Sequence, residues 1–460
     1  MAHSSAPDGS KQSVLIIATV SAFIVPFLVS SINVALPKMT IELHMEAVVM
    51  TWVNTIYLLA VAMAQVPMGR LADIYGRKKI FITGLAISAV AALGGALANS
   101  VPVLLISRTL QGVGAGMTFN TIIAVVTSIY PSESRGRALG ISMSGTYVGL
   151  TFGPLIGGYL TEQFGWPSIF FLSAGLNLSV LMFAFLTFKG EWREARGEKF
   201  EALDSIIYTV AIAMFMYGFS SLPAVSGIVF LLAGVVGLIY FIRRELNKAS
   251  PILDFRLFRN NRVFLFCNIA TLSNYLATYA LTFLLSLYLQ FIKGFSPQMA
   301  GLVMITSSVP MAVFTPIAGR LSDRIEPRLV AAAGQLLNVM ALVLLIFLNS
   351  ASGLWLVILA LVLYGTGIGL FSSPNTNAIM GSVEKKVLGA VSGTVGTMRT
   401  GGMMLSMGIM MIIFTVFIGQ AEITRPLYPQ FLTSARVGFI IFTVLGFGGV
   451  LAQYAARKKA

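Results

Sequence analysis

The sequence is short of charge and of cysteine, and both shortages limit what the protein is. Only 10% of the residues are Asp, Glu, Lys or Arg, whereas 57% are hydrophobic and the mean hydropathy is +0.86. A soluble domain carries about 25% charged residues. The one cysteine, Cys267, lies in an apolar run and leaves no intrachain disulfide to form. Composition therefore excludes a soluble globular protein and predicts a helical integral membrane protein.

Sequence motifs for nucleotide, metal and hydrolytic chemistry are also missing. The chain has no Walker-type phosphate loop, no zinc-ligand spacing and no nucleophile elbow. The glycine-rich GVGAG, Gly112 to Gly116, lies deep in an apolar run, where it cannot cradle a nucleotide. We therefore expect no enzymatic activity and no cofactor. The function class that remains is a transporter, either driven by an ion gradient or working without one.

Long apolar stretches dominate the chain, and fourteen of them are long enough to cross a bilayer as helices. We predict these spans near residues 13–36, 48–68, 79–98, 101–128, 137–161, 167–188, 204–222, 225–244, 262–292, 297–318, 329–349, 353–380, 387–418 and 433–456. With both termini inside, the predicted cytoplasmic segments hold 25 of the 31 Lys and Arg residues, and the outside holds four. This excess follows the positive-inside rule, so the net charge of +14 orients the protein and predicts no nucleic-acid partner.

A short basic turn occurs twice and divides the chain into related halves. GRLADIYGRKK, from Gly69 to Lys79, returns 250 positions later as GRLSDRIEPR, from Gly319 to Arg328. A repeat of this size is typical of a transporter built from two similar bundles. We predict a cytoplasmic tail at 1–12, a six-helix bundle at 13–188, a linker at 189–261 with two extra membrane helices near 204–244, a second six-helix bundle at 262–456 and a cytoplasmic tail at 457–460.

Charged residues of these turns are candidates for a gate. Asp73 and Arg77 in the first turn, and Asp323 and Arg324 in the second, lie at the predicted inner membrane surface. One interpretation is a charge latch that locks or releases the cytoplasmic gate. The other is a pair of solvated turns.

Two arginines lie inside predicted spans, where a charge costs roughly 2.5–3.5 kcal/mol on insertion scales. Arg108 has Gln111 one turn further along the same helix face, and Arg399 lies in the thirteenth predicted helix. Each arginine either contacts the substrate or a proton relay, or it snorkels from the helix or braces a backbone carbonyl. Both alternatives stay open at the level of sequence.

Uncharged polar residues mark three more predicted helices. Asn33, Asn54, Tyr57 and Asn274 lie on the first, second and ninth of them. They either line a cavity or make interhelical hydrogen bonds, which contribute about 0.6 kcal/mol each in membranes.

The fifth predicted helix carries glycine at every fourth position, namely 145, 149, 153 and 157, beside Pro154. A face of this kind lets another helix approach closely, and the proline can bend the helix. The pattern predicts either a bending helix between the halves or close helix packing without a gating role.

These motifs together resemble the major facilitator superfamily. GRLADIYGRKK resembles its turn between helices 2 and 3, RTLQGVGAG resembles the helix 4 motif of proton-coupled members, and GLTFGPLIGG resembles the helix 5 antiporter motif found chiefly in exporters. With fourteen helices, and INVALP closing the first, the chain is most similar to the fourteen-helix drug:proton antiporter family. The resemblance implies an all-α major facilitator fold of two pseudo-symmetric six-helix bundles plus two inserted helices.

The resemblance also implies roles for particular residues. Asp73 and Arg77 would be latch residues, Arg108 would take part in proton coupling, and Arg399 would face the cavity. The bending helix would contain Gly149, Gly153, Pro154 and Gly157.

One position departs from the family pattern. The family usually has an aspartate about five positions before the asparagine of INVALP, where this chain has Leu28, and none of its 17 acids falls in the middle of a predicted helix. A buried carboxylate is the obvious proton carrier in alternating access. A cavity with two arginines and no acid favours neutral, lipid-like or anionic substrates.

Three hypotheses follow for the function. The first is export of amphipathic or lipophilic small molecules by proton antiport, with the proton gradient as the energy source. The second is a facilitator or exporter without obligatory proton exchange, and the third is a membrane sensor or scaffold that does not transport. In each case we expect a monomer in the cell membrane, in contact with the lipid bilayer.

Overall fold

The computed structural model describes residues 8–130, 132–188, 191–193, 200, 202–222, 224–248, 256–322, 324–383, 388–419 and 421–456. Its helices are α1 (Asp8–Glu42), α2 (Ala47–Tyr75), α3 (Arg77–Ala96), α4 (Val101–Ile129), α5 (Ser132–Phe164), α6 (Pro167–Thr187), α7 (Ala202–Ser220), α8 (Val225–Leu246), α9 (Arg256–Asn260), α10 (Arg262–Leu287), α11 (Pro297–Ser322), α12 (Pro327–Ile346), α13 (Leu354–Gly381), α14 (Leu388–Phe417) and α15 (Tyr428–Ala455). A π-helical turn, Tyr288–Ile292, extends α10.

The predicted all-α membrane fold is confirmed. Within the described residues there are fourteen long helices, the short α9 and no strand. Thirteen of the long helices are long and apolar enough to cross a membrane, and the glycine-rich α5 is the exception. The ends differ from the sequence prediction by a few residues, since α1 begins at Asp8 and α11 continues to Ser322.

Each half is a bundle with its own packing partners. In the first half α1 packs on α5, and α4 packs on α2 and α3. In the second half α13 packs on α11 and α12, and α10 packs on α14 and α15. The halves also pack on each other, through α5 on α11 and α2 on α14.

The two extra helices form a hairpin that contacts both halves. α7 and α8 pack against each other, and α7 also packs on α2 and α14. The hydroxyl of Tyr208 donates to the carbonyl of Ala62 in α2 at 3.0 Å. At one end of the hairpin the buried carboxylate of Asp204 accepts hydrogen bonds from Arg244 and Lys248. The hairpin therefore lies beside the α2–α14 seam with its buried acid already neutralised.

The glycine period of α5 lies against α1, inside the first half. A Cβ on Gly145 or Gly149 would lie 2.1 Å or 2.5 Å from a backbone carbonyl of α1. Ser31 of α1 also donates to the carbonyl of Gly153 at 2.8 Å. The backbones of the two helices therefore approach too closely for any side chain at these positions.

This contact predicts a large stability effect at Gly153. We expect Gly153→Leu to lower the melting temperature of the purified protein strongly, because its Cβ would lie 1.9 Å from Oγ of Ser30 and 2.9 Å from the carbonyl of Phe27. Overpacking of a close contact costs about 1–3 kcal/mol or more. Gly175→Leu is the matched control, since nothing lies within 4 Å of that position. Equal melting temperatures for the two variants would contradict the packing argument.

The two halves meet at the end of the bundle that the charge distribution predicts to be outside, and we call this the outer end. There Ser286 of α10 donates to the carbonyl of Asn33 at 2.6 Å. Gln290 donates to the carbonyl of Val34 at 2.8 Å. Polar side chains of one half thus bond the backbone of the other half, which closes this end.

A second cross-half contact at the outer end joins α5 and α11. A Cβ on Gly301 of α11 would lie 2.1 Å from the carbonyl oxygen of Pro154. A Cβ on Gly158 of α5 would lie 2.5 Å from the carbonyl oxygen of Pro297. Glycine at both positions lets the halves touch backbone to backbone.

Candidate functional site

Arg108 is the buried charge of the first half, about two turns into α4. Its side chain has no exposed surface. Nε donates to the carbonyl of Val53 at 3.1 Å, and Nη1 donates to Oε1 of Gln111 at 2.8 Å. The guanidinium carbon lies 4.2 Å from the centre of the Tyr57 ring, which is a cation–π distance. Arg108 thus braces a carbonyl and at the same time faces the bundle interior.

Around Arg108, several hydrogen-bonding atoms remain unused. Among the residues that the structure describes, Nη2 of Arg108, Nε2 of Gln111 and the hydroxyl of Tyr279 are buried without a hydrogen-bond partner. Tyr279 belongs to α10 of the second half and packs on the same apolar core as Tyr57. The unused atoms therefore come from both halves of the bundle.

Arg399 provides a second cationic group, in α14 of the other half. Its guanidinium carbon lies 5.4 Å from the centre of the Tyr275 ring. Its Nε is buried without a hydrogen-bond partner in the described part of the chain. Arg399 lines a small cavity together with Tyr275 and with Ser372 and other residues of α13.

The predicted asparagines pair within their own halves. Asn54 of α2 donates to Oδ1 of Asn33 in α1 at 2.7 Å. Asn338 of α12 donates to Oδ1 of Asn274 in α10 at 2.9 Å. All four side chains are buried. The structure therefore places Asn33, Asn54 and Asn274 in interhelical hydrogen bonds, whereas Tyr57 lies directly against Arg108.

Leu28 lies in the wall of a small cavity in the first half. The side chain is 4% exposed, and the cavity has a volume of about 20 Å³. Tyr57 and Gln111 line the same cavity, together with Ser21 and Ser88. A side chain at position 28 is thus a close neighbour of the groups that hold Arg108.

The first basic turn is held inside its own half. Nε and Nη2 of Arg77 donate to Oδ1 of Asp73 at 2.9 Å and 2.8 Å, and the Lys78 backbone N–H donates to Oε1 of Glu191. Asp323 lies outside the described residues, and Arg324 is exposed. The structure thus brings Asp73 and Arg77 together.

Comparison with known families decides what kind of protein this bundle is. The family model described as Major Facilitator Superfamily matches residues 18–407 and, in a second match, residues 267–458. The chain belongs to the major facilitator superfamily. The resemblance carried by the basic turns and the helix 4 and helix 5 motifs is thereby confirmed, and with it the fold that it implies.

Relatives within the superfamily are named for different compounds. The chain is 29% identical over 411 residues to the riboflavin transporter RibZ of Clostridioides difficile (strain 630), covering 89% of this chain and 88% of that protein. It is 30% identical over 386 residues to the multidrug resistance protein Stp of Mycobacterium tuberculosis (strain CDC 1551 / Oshkosh), covering 82% of this chain and 71% of that protein. Since these names differ, the substrate has to be argued from the site.

Among solved structures, the chain resembles a bacterial homologue of the human lysosomal transporter Spinster. That structure is described as inward-facing and unoccupied. The TM-score is 0.70 with 18% identity, and the match covers 98% of each chain. At this identity the likeness shows the shared fold.

Acidic side chains of this superfamily member lie away from the cluster around Arg108. Every acid in the described residues is in a connection or within about one turn of a helix end. The deeply buried ones, Asp204 and Glu245, are in the α7–α8 hairpin. Lys248 lies close to both of their carboxylates. Within the described residues, the two intramembrane arginines therefore face tyrosines and amides instead of carboxylates.

Sequence reasoning missed several residues that connect the halves. Gly158 and Gly301 form the close contact at the outer end, and the Tyr279 hydroxyl is a buried group without a hydrogen-bond partner in the described residues. No local pattern marks Tyr279, because its surroundings depend on how α10 packs in the bundle. The Gly-Gly pair at 157–158 was the available signal for Gly158.

Proposed function

We propose that this protein is a secondary transporter of the cell membrane that exports amphipathic or lipophilic small molecules by alternating access. The single observation that carries the proposal is that each half places an intramembrane arginine against a tyrosine, Arg108 with Tyr57 and Arg399 with Tyr275. A substrate bound between the two arginines contacts both halves, so its binding is coupled to their relative motion. Membership of the major facilitator superfamily supports transport, and the relative named for multidrug resistance supports export.

Proton antiport is the first form of this function. In this form the inward proton gradient drives export, with no cofactor, and Arg108 takes part in coupling. The resemblance of the helix 4 and helix 5 motifs to those of drug:proton antiporters supports it. The charge latch at Asp73 and Arg77 would then hold or release the inner gate.

Transport without obligatory proton exchange is the second form, and a specific observation favours it. Leu28 occupies the position where related antiporters usually have an aspartate, and it lies in the cavity beside Gln111 and Tyr57. The described acids lie near helix ends or in connections. A carrier with this centre would accept neutral, lipid-like or anionic compounds. It would not have to release a proton from the site during transport.

A flux measurement in liposomes separates these forms. The purified protein is reconstituted, a pH gradient is imposed, and the movement of ethidium and of the anionic dye carboxyfluorescein is followed in separate experiments. We expect Arg108→Ala to reduce flux at least about tenfold, because it removes the buried charge of the first half. Arg436→Ala, which removes an exposed arginine of α15, is the matched control and should leave flux unchanged.

Each outcome of this experiment has a distinct meaning. Gradient-driven ethidium movement that Arg108→Ala abolishes would support proton antiport. Movement that ignores the gradient, or movement of the anionic dye alone, would support the second form. Flux indistinguishable from protein-free liposomes for both dyes would contradict the transport proposal for these two compounds and favour a sensor or scaffold.

A further inference from the structure

We propose that the Arg108 cluster binds the anionic group of its substrate, so that the transported compounds are organic anions with an aromatic or apolar body. The proposal rests on the transport function above and names the substrate class for the same site. Its basis is the chemistry of the unused atoms: Nη2 of Arg108, Nε2 of Gln111 and the Tyr279 hydroxyl can each donate a hydrogen bond, and Arg108 and Gln111 are bonded to each other.

The free atoms around Arg108 are hydrogen-bond donors. Oε1 of Gln111 accepts a hydrogen bond from Nη1 of Arg108 at 2.8 Å, so the free atom of this amide is its NH₂ group. Nη2 of Arg108 is a donor in every protonation state that a protein reaches, because arginine stays charged. The Tyr279 hydroxyl is the third buried group without a partner in the described residues. A carboxylate or sulfonate, which offers only acceptors, matches this set.

The contacts described for Arg108 leave its positive charge unbalanced. A buried cation without a counter-ion is costly, and the usual solution is a carboxylate from a neighbouring helix. Here the described partners of Arg108 are the Val53 carbonyl, the Gln111 amide and the Tyr57 ring. These groups are all uncharged. An anionic ligand would provide the missing charge and three charge-assisted hydrogen bonds.

An unused acceptor nearby in the sequence belongs to another contact. Oδ1 of Asn54 has no partner in the described residues, but its amide nitrogen donates to Asn33 and holds the side chain between α1 and α2. The free nitrogen atoms of the Arg108–Gln111 pair, by contrast, can only donate.

Aromatic rings beside both arginines indicate the body of the ligand. The centre of the Tyr57 ring lies 4.2 Å from the guanidinium carbon of Arg108, and the centre of the Tyr275 ring lies 5.4 Å from that of Arg399. Aromatic side chains favour flat apolar groups, which stack on them or meet them edge-on. The expected ligand is an aryl anion whose charged group contacts Arg108 and whose ring lies against these tyrosines.

Binding to the purified full-length protein tests the proposal without any transport step. Three naphthalene probes of equal size are compared by titration: 1-naphthoate, the neutral 1-naphthamide and the cationic 1-naphthylmethylammonium. We expect 1-naphthoate to bind at least about tenfold more tightly than the other two, since hydrogen bonds to a charged group contribute about this much or more. Arg108→Gln should abolish the preference, and Tyr279→Phe should reduce it several-fold.

Controls keep a folding defect apart from a lost site. Arg108→Lys retains the charge and should retain part of the preference, while Arg436→Gln should retain all of it. Equal binding of the three probes, preference for the cation, a preference that survives Arg108→Gln, or no binding of 1-naphthoate would each overturn the proposal. Anion-selective binding without flux in liposomes would instead support the binding site and contradict the transport function. Failure of the anion site and failure of the transport function are therefore distinguishable.

Discussion

Leu28→Asp is expected to make the transport of a lipophilic cation depend on the pH gradient. In the parent protein the cavity beside Gln111 and Tyr57 has a leucine in its wall, and we expect slow ethidium flux that does not follow the gradient. In the variant we expect gradient-driven flux at least about tenfold faster, because a carboxylate there attracts a cation and competes for it with a proton.

The expected gain has a structural reason. Leu28 is 4% exposed, so a carboxyl group at this position is surrounded by apolar helices, and burial favours its protonated form. The unused NH₂ group of Gln111, whose side chain lines the same cavity, is available to the ionised form. The protonated form is thus favoured by the apolar surroundings, and the ionised form by the Gln111 NH₂ group. Such a group can load and release one proton in each transport cycle.

Leu28→Asn is the control for this prediction. It has nearly the same shape and polarity as the aspartate variant but cannot titrate. Flux of ethidium is measured in liposomes at several imposed pH gradients, together with binding of 1-naphthoate, which the new carboxylate should weaken. If the Asp and Asn variants transport alike, the missing acid at position 28 is not what limits proton coupling.

Gly301→Leu is expected to stop transport by holding the outer end open. A Cβ at this position would lie 2.1 Å from the carbonyl oxygen of Pro154, and this atom belongs to the backbone of α5 and cannot rotate away. The nearest atoms to this Cβ position belong to Pro154 and Leu155 of the other half, so the helix contacts within the second half are retained and the variant should fold. The closed arrangement of the outer end, however, should become inaccessible. We expect flux to fall by about two orders of magnitude, since overpacking of about 3 kcal/mol in one state shifts the equilibrium that far.

A cysteine introduced by Ser286→Cys reports the state of the outer end. In the closed state the Ser286 side chain is fully buried and donates to the carbonyl of Asn33, so a thiol there should react slowly with a membrane-impermeant maleimide. We expect Gly301→Leu to accelerate labelling at least about tenfold if opening shifts by 1.4 kcal/mol or more. The native Cys267 is buried and provides the background rate.

Gly448→Leu is the matched control for Gly301→Leu. Gly448 lies on α15 with nothing within 4 Å of its Cβ position, so the substitution should change neither labelling nor flux. Slow labelling in Gly301→Leu together with normal flux would show that the α5–α11 contact does not open during the cycle.

Features that depend on contiguous residues were the predictable ones. The basic turns at Gly69 and Gly319, the apolar spans and the inserted helix pair were all predictable, because they depend on local composition and on spacing along the chain. The predicted roles of Arg108 and Arg399 are still predictions. Their burial against tyrosines adds a physical reason to test them.

The asparagines and the glycine period show the limit of sequence patterns. Asn33 and Asn274 were compatible with a cavity lining, yet each pairs with an asparagine of its own half. The four-residue glycine period was compatible with a bending helix between the halves and with close packing, and periodicity does not name the partner. The partner is α1 for Gly149, whereas the contact with the other half is made by Gly158, just after the last glycine of the period.

The sequence by itself determined the solvent, the number of spans, the two related halves and the family, because hydrophobic length, charge asymmetry and local motifs are properties of contiguous residues. Only the tertiary structure decided which polar groups face one another across the halves. Ser286 bonds the Asn33 carbonyl from a position 253 residues away. Such a meeting depends on how α1 and α10 pack, and helix packing is decided by the shapes of whole faces, which no local pattern records.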